Sequence, residues 1–214
     1  MNREVMELLM QWLTTIDIWS LAIIFYIFFA IVSLFPTIQA MRRKIKLHPG
    51  GSSFSQANYF SEEEKKNLDD HFSRIQGTLV FWKNVAEKYR CFHYYCLFWT
   101  IPISLLIPII TQTITDENSS RLFLTIISTH AAILLSFHKG FKVENNFKAF
   151  RHGESEFYDL YRRFLDSPTK FGKNKQDQIQ SYFEQVEQVR KYVRNAETDN
   201  FPTLEEAIPH EKKP

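Results

Sequence analysis

The stretch TITDENSSR, residues 113–121, is a short polar segment between two strongly apolar ones. Residues 91–115 and residues 122–138 contain no Asp, Glu, Lys or Arg. Two apolar segments of that length, separated by so few polar residues, are typical of membrane-spanning helices joined by a tight turn. The sequence therefore predicts an antiparallel helical hairpin in a membrane, with DENSS at its turn.

A third uncharged window, residues 18–41, precedes this hairpin and contains IWSLAIIFYIFFAIVSLF. A secretory signal is the alternative interpretation, because IQA at 38–40 resembles a cleavage site. The leader before the window is net acidic, however, and the basic run MRRKIK follows it directly. An uncleaved transmembrane anchor is therefore favoured.

Basic residues that follow the apolar windows predict the orientation of the three spans. Arg42, Arg43, Lys44 and Lys46 follow the first window, and the third is followed by Lys139, Lys142, Lys148 and Arg151. Because positive residues stay on the cytoplasmic side, we expect the N-terminus and DENSS outside and the C-terminus inside. The interpretation is an all-α, multi-pass protein of the cell inner (cytoplasmic) membrane, with most of its mass cytoplasmic.

A long helix is predicted to lead into the second span. Ser61 and Glu64 form a capping-box pair at its start, and it continues to about Thr113. A heptad seam of steps of four and three residues follows the cap. The seam comprises Leu68, Phe72, Ile75, Leu79, Trp82, Ala86, Tyr89 and His93.

The third span is predicted to continue into a matching helix that ends at Asp166-Ser167-Pro168. Its seam comprises Ile133, Ser136, Gly140, Val143, Phe147, Phe150, Glu154, Phe157, Tyr161 and Phe164. Together these helices predict an antiparallel cytoplasmic stalk. Another helix is predicted from about Gln176 to Asn195. Its apolar residues follow the same steps of three and four, at Ile179, Tyr182, Val186, Val189 and Val193.

These patterns divide the chain into five segments. The predicted segments are an N-terminal anchor at 1–47, a linker at 48–60, the long hairpin at 61–166, a C-terminal helical segment at 167–196 and an extended or disordered tail at 197–214.

Composition argues against several classes of function. A formal net charge of +2 provides no excess of Lys and Arg for nucleic-acid binding. No Gly-rich phosphate loop, Ser-His-Asp order or HExxH motif is present, so neither an enzyme nor a cofactor is expected. Cys91 and Cys96 point roughly 140° apart on a helix, which favours packing roles over a disulfide or a metal site.

A stripe of small or hydroxylated residues marks one side of the third span, consisting of Thr125, Thr129, Ala132 and Ser136. In lipid such a stripe either lets helices approach closely or lines a water-filled path. His130 lies beside it near mid-span, where an ionisable group is a functional candidate. A neutral histidine bonded to a Thr or Ser of another helix is the alternative.

Pro102 and Pro108 in the second span are candidate hinges, although prolines at such positions also simply shape packing. Glu154 lies on an otherwise aromatic seam with Arg151 one turn before it. A charge there either acts as a switch or forms a structural Arg151–Glu154 pair.

A basic cluster follows, and it could contact a phosphate-bearing ligand or lipid head groups, or be a solvated loop. Its members are Arg162, Arg163, Lys170, Lys173 and Lys175.

The segments SRIQGTLVFWKNVAEKYR (73–90), WTIPISLLIPII (99–110) and FKAFRHGESEFYDLYRR (147–163) resemble the SLATT group of two-transmembrane domains in prokaryotic conflict systems. The resemblance covers roughly residues 73–165. It depends on a Trp before the second span, an Ile-Pro within it, and the R-x-x-E of Arg151 and Glu154. The first span is an addition to that pattern.

The resemblance implies a non-enzymatic membrane effector of antiviral, abortive-infection defence. Such a protein oligomerises in the lipid bilayer to form a pore or disrupt the membrane, under the control of a cytoplasmic regulator encoded nearby, a nucleotidyltransferase or a reverse transcriptase. The alternatives are a non-conducting scaffold that recruits a soluble partner, and a constitutive ion channel.

Overall fold

The computed structural model describes residues 17–45, 47, 53–114 and 118–200, and it is helical over 89% of them, with no strand in these ranges. The prediction of an all-α protein is therefore confirmed. Five α-helices are described: α1 Ile18–Arg42, α2 Glu62–Thr113, α3 Asn118–Gly140, α4 Val143–Asp166 and α5 Lys175–Asp199. Two short 3₁₀ helices, Phe54–Gln56 and Pro168–Phe171, lie between them.

Three helices, α1, α2 and α3, are long and apolar enough to cross a membrane. The chain divides into two compact units. We call the described residues up to Gln39 together with His93–Lys139 the span unit, and those in 40–92 and from Gly140 onward the core unit.

Within the span unit, α2 and α3 run antiparallel. The ring nitrogens His93 Nδ1 and His138 Nε2 are 2.8 Å apart, and Cys96 Sγ lies 3.9 Å from the carbonyl oxygen of Leu134. Cys96 and Leu134 both lie nearer to the Thr113-to-Asn118 connection than His93 and His138 do. The two helices therefore run in opposite directions away from that connection. The connection between α2 and α3 thus falls within the predicted polar segment. Of DENSS, Asn118, Ser119 and Ser120 begin α3, and Asp116 and Glu117 lie outside the described residues.

Within the core unit, the capping box forms as predicted. The Ser61 backbone N–H donates to Glu64 Oε2 at 2.7 Å, and the Glu64 N–H donates to Ser61 Oγ at 3.4 Å. The first of these bonds is the main reason that the pKa of Glu64 is lowered. Two orphan donors of the first turn are satisfied in this way, which explains why α2 begins at Glu62.

Most of the predicted seams form the core of this unit. Leu68, Ile75, Leu79, Trp82 and Ala86 of α2 are buried, and they belong to one hydrophobic cluster with residues of α4 and α5. The cluster members from these helices are Phe150, Phe157, Leu160, Tyr161, Phe164, Ile179, Tyr182, Val186, Val189 and Val193. The seam predicted for the C-terminal helix is therefore confirmed.

The descending helix is not continuous, contrary to the prediction. It is interrupted at Phe141–Lys142, where Lys142 adopts a left-handed conformation with φ of 43°. Such a residue cannot continue an α-helix, so the phase of the seam is reset there. Ile133, Ser136 and Gly140 are consequently exposed, and α3 buries Ser120, Ile127, Ala131 and Leu134 instead.

The predicted linker contributes to the core. Phe54 and Phe60 are 1% and 4% exposed, and both pack on Phe164 with ring centroids 6.1 and 5.3 Å away. Composition alone missed these two aromatic anchors. The C-terminal helix also reaches Asp199, beyond its predicted end, whereas residues 1–16 and 201–214 lie outside the described residues.

Candidate functional site

His130 of α3 is the centre of a hydrogen-bonded group that joins all three helices of the span unit. Its Nδ1 lies 2.5 Å from Tyr26 Oη of α1, and its Nε2 lies 3.5 Å from Tyr95 Oη of α2. Tyr95 Oη also donates to the Ala30 carbonyl oxygen of α1 at 3.3 Å. The alternative prediction, a Thr or Ser partner, is corrected, because both partners in the structure are tyrosines.

One protonation state satisfies every member of this group. If Tyr95 donates its proton to Ala30, its oxygen is left to accept from the His130 Nε2–H. The Nδ1 atom then carries a lone pair, which accepts from Tyr26 Oη–H. A neutral imidazole in the Nε2–H form therefore bonds both neighbouring helices at once.

Trp99 of α2 extends this group. Its Nε1–H donates to Ser33 Oγ of α1 at 2.9 Å, and that hydroxyl donates to the Ala30 carbonyl at 3.1 Å. The Trp99 ring also contacts Tyr26 edge-on, with centroids 5.0 Å apart, and its centroid is 5.4 Å from that of His130. We call Tyr95, Trp99 and His130 the polar surface of α2 and α3.

Two further polar contacts lie nearer the ends of the span helices. Asp17, directly before α1, accepts a hydrogen bond from Ser119 Oγ in the first turn of α3. At the other end of α3, His138 lies beside His93 of α2. Polar groups thus connect these helices near both ends and in the middle, and the sequence indicated only His130 among the groups named here.

The predicted stripe of α3 lies on an exposed face. Thr125, Thr129, Ala132 and Ser136 are all exposed. The Thr125 hydroxyl donates to the Arg121 carbonyl oxygen of its own helix at 2.9 Å. The stripe residues therefore share a side of α3 that neither α1 nor α2 covers, and the choice between packing and pore lining stays open.

Pro102 and Pro108 are exposed and lie inside α2, which continues through both of them. Nearby hydroxyls bond to their own helix backbone: Thr100 Oγ1 donates to Cys96 O and Ser104 Oγ to Thr100 O, each at 2.7 Å. The proposed hinge role stays a prediction.

Glu154 is buried in the core unit between two cations. Its Oε2 accepts from Arg151 Nη1 at 2.7 Å, as predicted, and its Oε1 lies 3.9 Å from Lys83 Nζ of α2. The Glu154 side chain is 7% exposed and that of Arg151 is 63% exposed. Lys83 was missed because sequence spacing within one helix does not reveal a partner on another.

The basic cluster is largely paired with acids. Arg162 Nη2 lies 3.0 Å from Asp159 Oδ1, and Arg163 Nη2 lies 3.2 Å from Glu156 Oε1. Lys175 Nζ is 3.7 Å from Glu64 Oε2 and lies over the Tyr59 ring. Lys170 and Lys173 are exposed. These pairs reduce the positive charge available to an anion, and the predicted phosphate contact stays a prediction.

The two cysteines have separate neighbours. Cys91 Sγ lies 3.7 Å from Glu87 Oε1, whereas Cys96 lies beside the Leu134 carbonyl. Within the described ranges, no group of three or more His, Cys, Asp or Glu side chains is placed to hold a metal ion.

Buried polar atoms without a hydrogen-bond partner lie in the core unit, and the sequence did not indicate them. They are His71 Nδ1, Gln178 Oε1 and Tyr182 Oη. His71 stacks on Phe183 with ring centroids 4.0 Å apart. Burial, with the charges of Arg74 and Arg190, lowers the pKa of His71 to about 4, and burial raises the pKa of Tyr182.

No protein-family model, no curated protein and no solved structure matches this chain.

Proposed function

We propose that this chain is a membrane effector that self-associates through its span helices and permeabilises the cytoplasmic membrane when its core unit receives a signal. The observation that carries this proposal is the exposed stripe of Thr125, Thr129, Ala132 and Ser136 on α3. In lipid, small and hydroxylated side chains allow close helix contact and supply hydroxyls to a water path. A second copy can therefore approach α3 on this side.

The proposed orientation follows from the basic residues. Arg42 ends α1, and Lys139 lies in the last turn of α3, so positive charge collects at the same end of both helices. We place that end in the cytoplasm, with the α2-to-α3 connection outside. On this arrangement, the first half of α2 and helix α4 form a cytoplasmic stalk.

The proposed biological setting is antiviral, abortive-infection defence, as the resemblance to SLATT-like effectors implies. The R-x-x-E pattern of that resemblance corresponds to the Arg151–Glu154 ion pair. The proposed regulator is a nucleotidyltransferase or a reverse transcriptase encoded nearby, acting on the cytoplasmic part of the chain.

A dye-release and ion-flux assay on proteoliposomes tests the proposal. Thr129→Leu with Ser136→Leu adds bulk and removes both hydroxyls, and we expect loss of flux. Thr129→Val with Ser136→Ala removes the hydroxyls at little change in size, so it separates pore lining from packing. Ile133→Leu with Leu135→Ile, also exposed on α3, is the matched control.

The result that overturns the proposal is a wild-type protein that, at high density in liposomes and in over-expressing bacterial cells, passes no ion even with the core unit's regulator present. Flux that survives Thr129→Leu with Ser136→Leu rejects the stripe as the conducting or packing face. Flux of full size without any regulator instead favours a constitutive channel.

A non-conducting scaffold is the second candidate, and one groove favours it. A cavity of about 230 Å³ lies between α4 and α5, lined by His152, Glu156, Leu160, Gln185, Gln188, Val189 and Tyr192. Tyr192 is 52% exposed at its edge, and aromatic side chains of this kind are frequent at protein interfaces. Partner recruitment that depends on Tyr192, without ion flux, supports the scaffold.

A further inference from the structure

We propose that α1 is an internal cover for the polar surface of α2 and α3, and that its displacement lets two copies of the chain pair through that surface. This inference rests on the proposed function and adds a second contact surface to it: the stripe of α3 is exposed with α1 in place, whereas the polar surface becomes available only when α1 moves. It assigns a role to the first span, the part of the chain that the SLATT-like pattern lacks.

The polar surface depends on α1 for its hydrogen bonds. Tyr95 and Trp99 are 8% and 7% exposed, and their polar atoms bond to Ala30 and Ser33 of α1. His130 receives its shorter hydrogen bond from Tyr26 of α1. If α1 leaves, each of these groups must find another partner, because hydrocarbon offers no hydrogen bond to an unpaired polar group.

Four other hydroxyls of the span unit have no such need. Thr100, Ser104, Thr125 and Ser128 donate to carbonyl oxygens of their own helices. Their hydrogen bonds persist whatever lies beside the helix. The polar surface under α1 is therefore the part of α2 and α3 with the strongest requirement for a partner helix.

Helix α1 is held by these hydrogen bonds and by ring contacts of Trp19, Tyr26 and Phe29 with α2 and α3, and little of it is fully buried. The most apolar 18-residue window of each span helix can be compared by the share of its residues that is buried. That share is 0% in α1, 28% in α2 and 22% in α3. Large side chains such as Phe25, Phe28 and Phe35 are 62–70% exposed, as suits contact with lipid. Because lipid solvates apolar side chains as well as protein does, their separation from the unit costs little. Hydrogen bonds and a few ring contacts thus hold α1 in place, and two of these hydrogen bonds use the Tyr26 and Ser33 hydroxyls.

The chemistry of the polar surface suits a second copy of itself. Trp99 Nε1–H is a donor, His130 Nδ1 an acceptor, and Tyr95 Oη can be either. A surface with both kinds of group can pair with an identical surface about a two-fold axis. We commit to a second copy as the occupant that replaces α1.

The first test weakens the cover. Tyr26→Phe with Ser33→Ala removes two hydroxyls of α1 while nearly keeping the side-chain volumes. Phe28→Leu with Val32→Ile, both at exposed positions of the same helix, is the matched control. The particle mass of the full chain in mild detergent is measured by light scattering, with helical content checked by circular dichroism.

The second test locks the cover. Asp17→Cys with Ser119→Cys, in the weakened chain that carries Tyr26→Phe and Ser33→Ala and also Cys91→Ala and Cys96→Ala, places a thiol pair where the native side chains bond. A short bis-maleimide cross-links α1 to α3, and the mass is compared with that of the same protein left uncross-linked. The same two samples are then compared for flux in liposomes.

We expect at least a twofold rise in particle mass for Tyr26→Phe with Ser33→Ala, no rise for the control, and a single-copy mass for the cross-linked protein. Wild-type mass in the weakened variant, or undiminished assembly after cross-linking, overturns the proposal. The mass does not depend on permeabilisation. If the masses change as expected but no sample passes ions, the cover is supported and the effector function fails.

Discussion

Val193 of α5 packs directly on the backbone of Gly153 in α4: a Cβ atom added to Gly153 would overlap Val193 Cγ2 and lie 3.4 Å from the Trp82 ring. The absence of a side chain at this position lets the two helices approach, with the α2 tryptophan beside them. Neither Val193 nor Trp82 has room to yield, because they are 1% and 4% exposed.

Gly153→Ala is expected to destabilise the chain by about 1–3 kcal/mol, because overpacking forces shifts in a filled core. For a chain of this size that corresponds to a fall in Tm of roughly 2–12 °C. Thermal unfolding followed by circular dichroism in detergent measures it.

The control for this experiment is Gly77→Ala, in the interior of α2, where an added Cβ has no atom within 4 Å. Alanine is the better helix former there, so we expect a gain of about 0.5–1 kcal/mol. An equal loss of stability in both variants contradicts the tight approach at Gly153.

The Arg151–Glu154 pair is expected to contribute modestly, because the arginine is mostly exposed to solvent. We expect a double-mutant cycle of Arg151→Ala and Glu154→Gln to give a coupling energy of about 0.5–1 kcal/mol. Glu154→Gln combined with Lys83→Met completes a second cycle, with a smaller coupling for the contact at 3.9 Å. The inference of an ion pair fails if the first coupling is zero. A switch role requires, in addition, that Glu154→Gln changes the ion flux in liposomes at a Tm close to that of the wild type.

His71 makes stability depend on pH. Its pKa is about 4 in the folded chain against an ordinary value of 6.5, so the unfolded state binds a proton first as the pH falls. The stability of the wild type therefore decreases as the pH falls from about 6.5 to about 4.

His71→Phe keeps the stacking on Phe183 and removes the titration. We expect its Tm to fall less than that of the wild type between pH 7.5 and pH 5, by roughly 2–6 °C. His152→Phe, at an exposed histidine of α4, should behave like the wild type. Parallel pH profiles for all three proteins refute the burial of a neutral imidazole at residue 71.

Removal of the capping box is expected to destabilise the start of α2. Ser61→Ala removes the oxygen that accepts the Glu64 N–H, at a cost of about 1 kcal/mol. Ser73→Ala, at an exposed interior position of the same helix, should be neutral or slightly stabilising. Hydrogen exchange of residues 62–65 locates the effect. Unchanged protection of these amides in Ser61→Ala is the result that contradicts it.

Periodicity was sufficient to predict most elements. The positions of Leu68, Leu79 and Trp82 in steps of three and four identified the buried face of α2, because burial follows the helical repeat. The repeat failed within the third span, where Ile133, Ser136 and Gly140 are exposed, because the left-handed Lys142 shifts the phase between α3 and α4 and nothing in the residue types there signals it. Phe54 and Phe60 escaped prediction because a Gly- and Ser-rich context hides two aromatic residues that pack at long range.

The candidate site was predicted only in part for the same reason. His130 was singled out as an ionisable residue in an apolar window, which is a local property. The other pairings depend on which helix faces lie together. They are the contacts of His130 with Tyr26 and Tyr95, of Trp99 with Ser33, and of Lys83 with Glu154. A single sequence does not specify these pairings, because each joins residues tens of positions apart.

Residue type and spacing were enough to predict an all-α chain with three helices able to cross a membrane, the capped start of α2 and the Arg151–Glu154 pair. These features arise from interactions within one turn or one helix face, where residue type and spacing fix the outcome. Three other features became apparent from the folded chain alone: α1 bonds the polar surface of α2 and α3, α3 ends at Gly140, and Gly153 leaves room for Val193. Those features depend on the distances between helices, and these distances are determined by the packing of the whole chain.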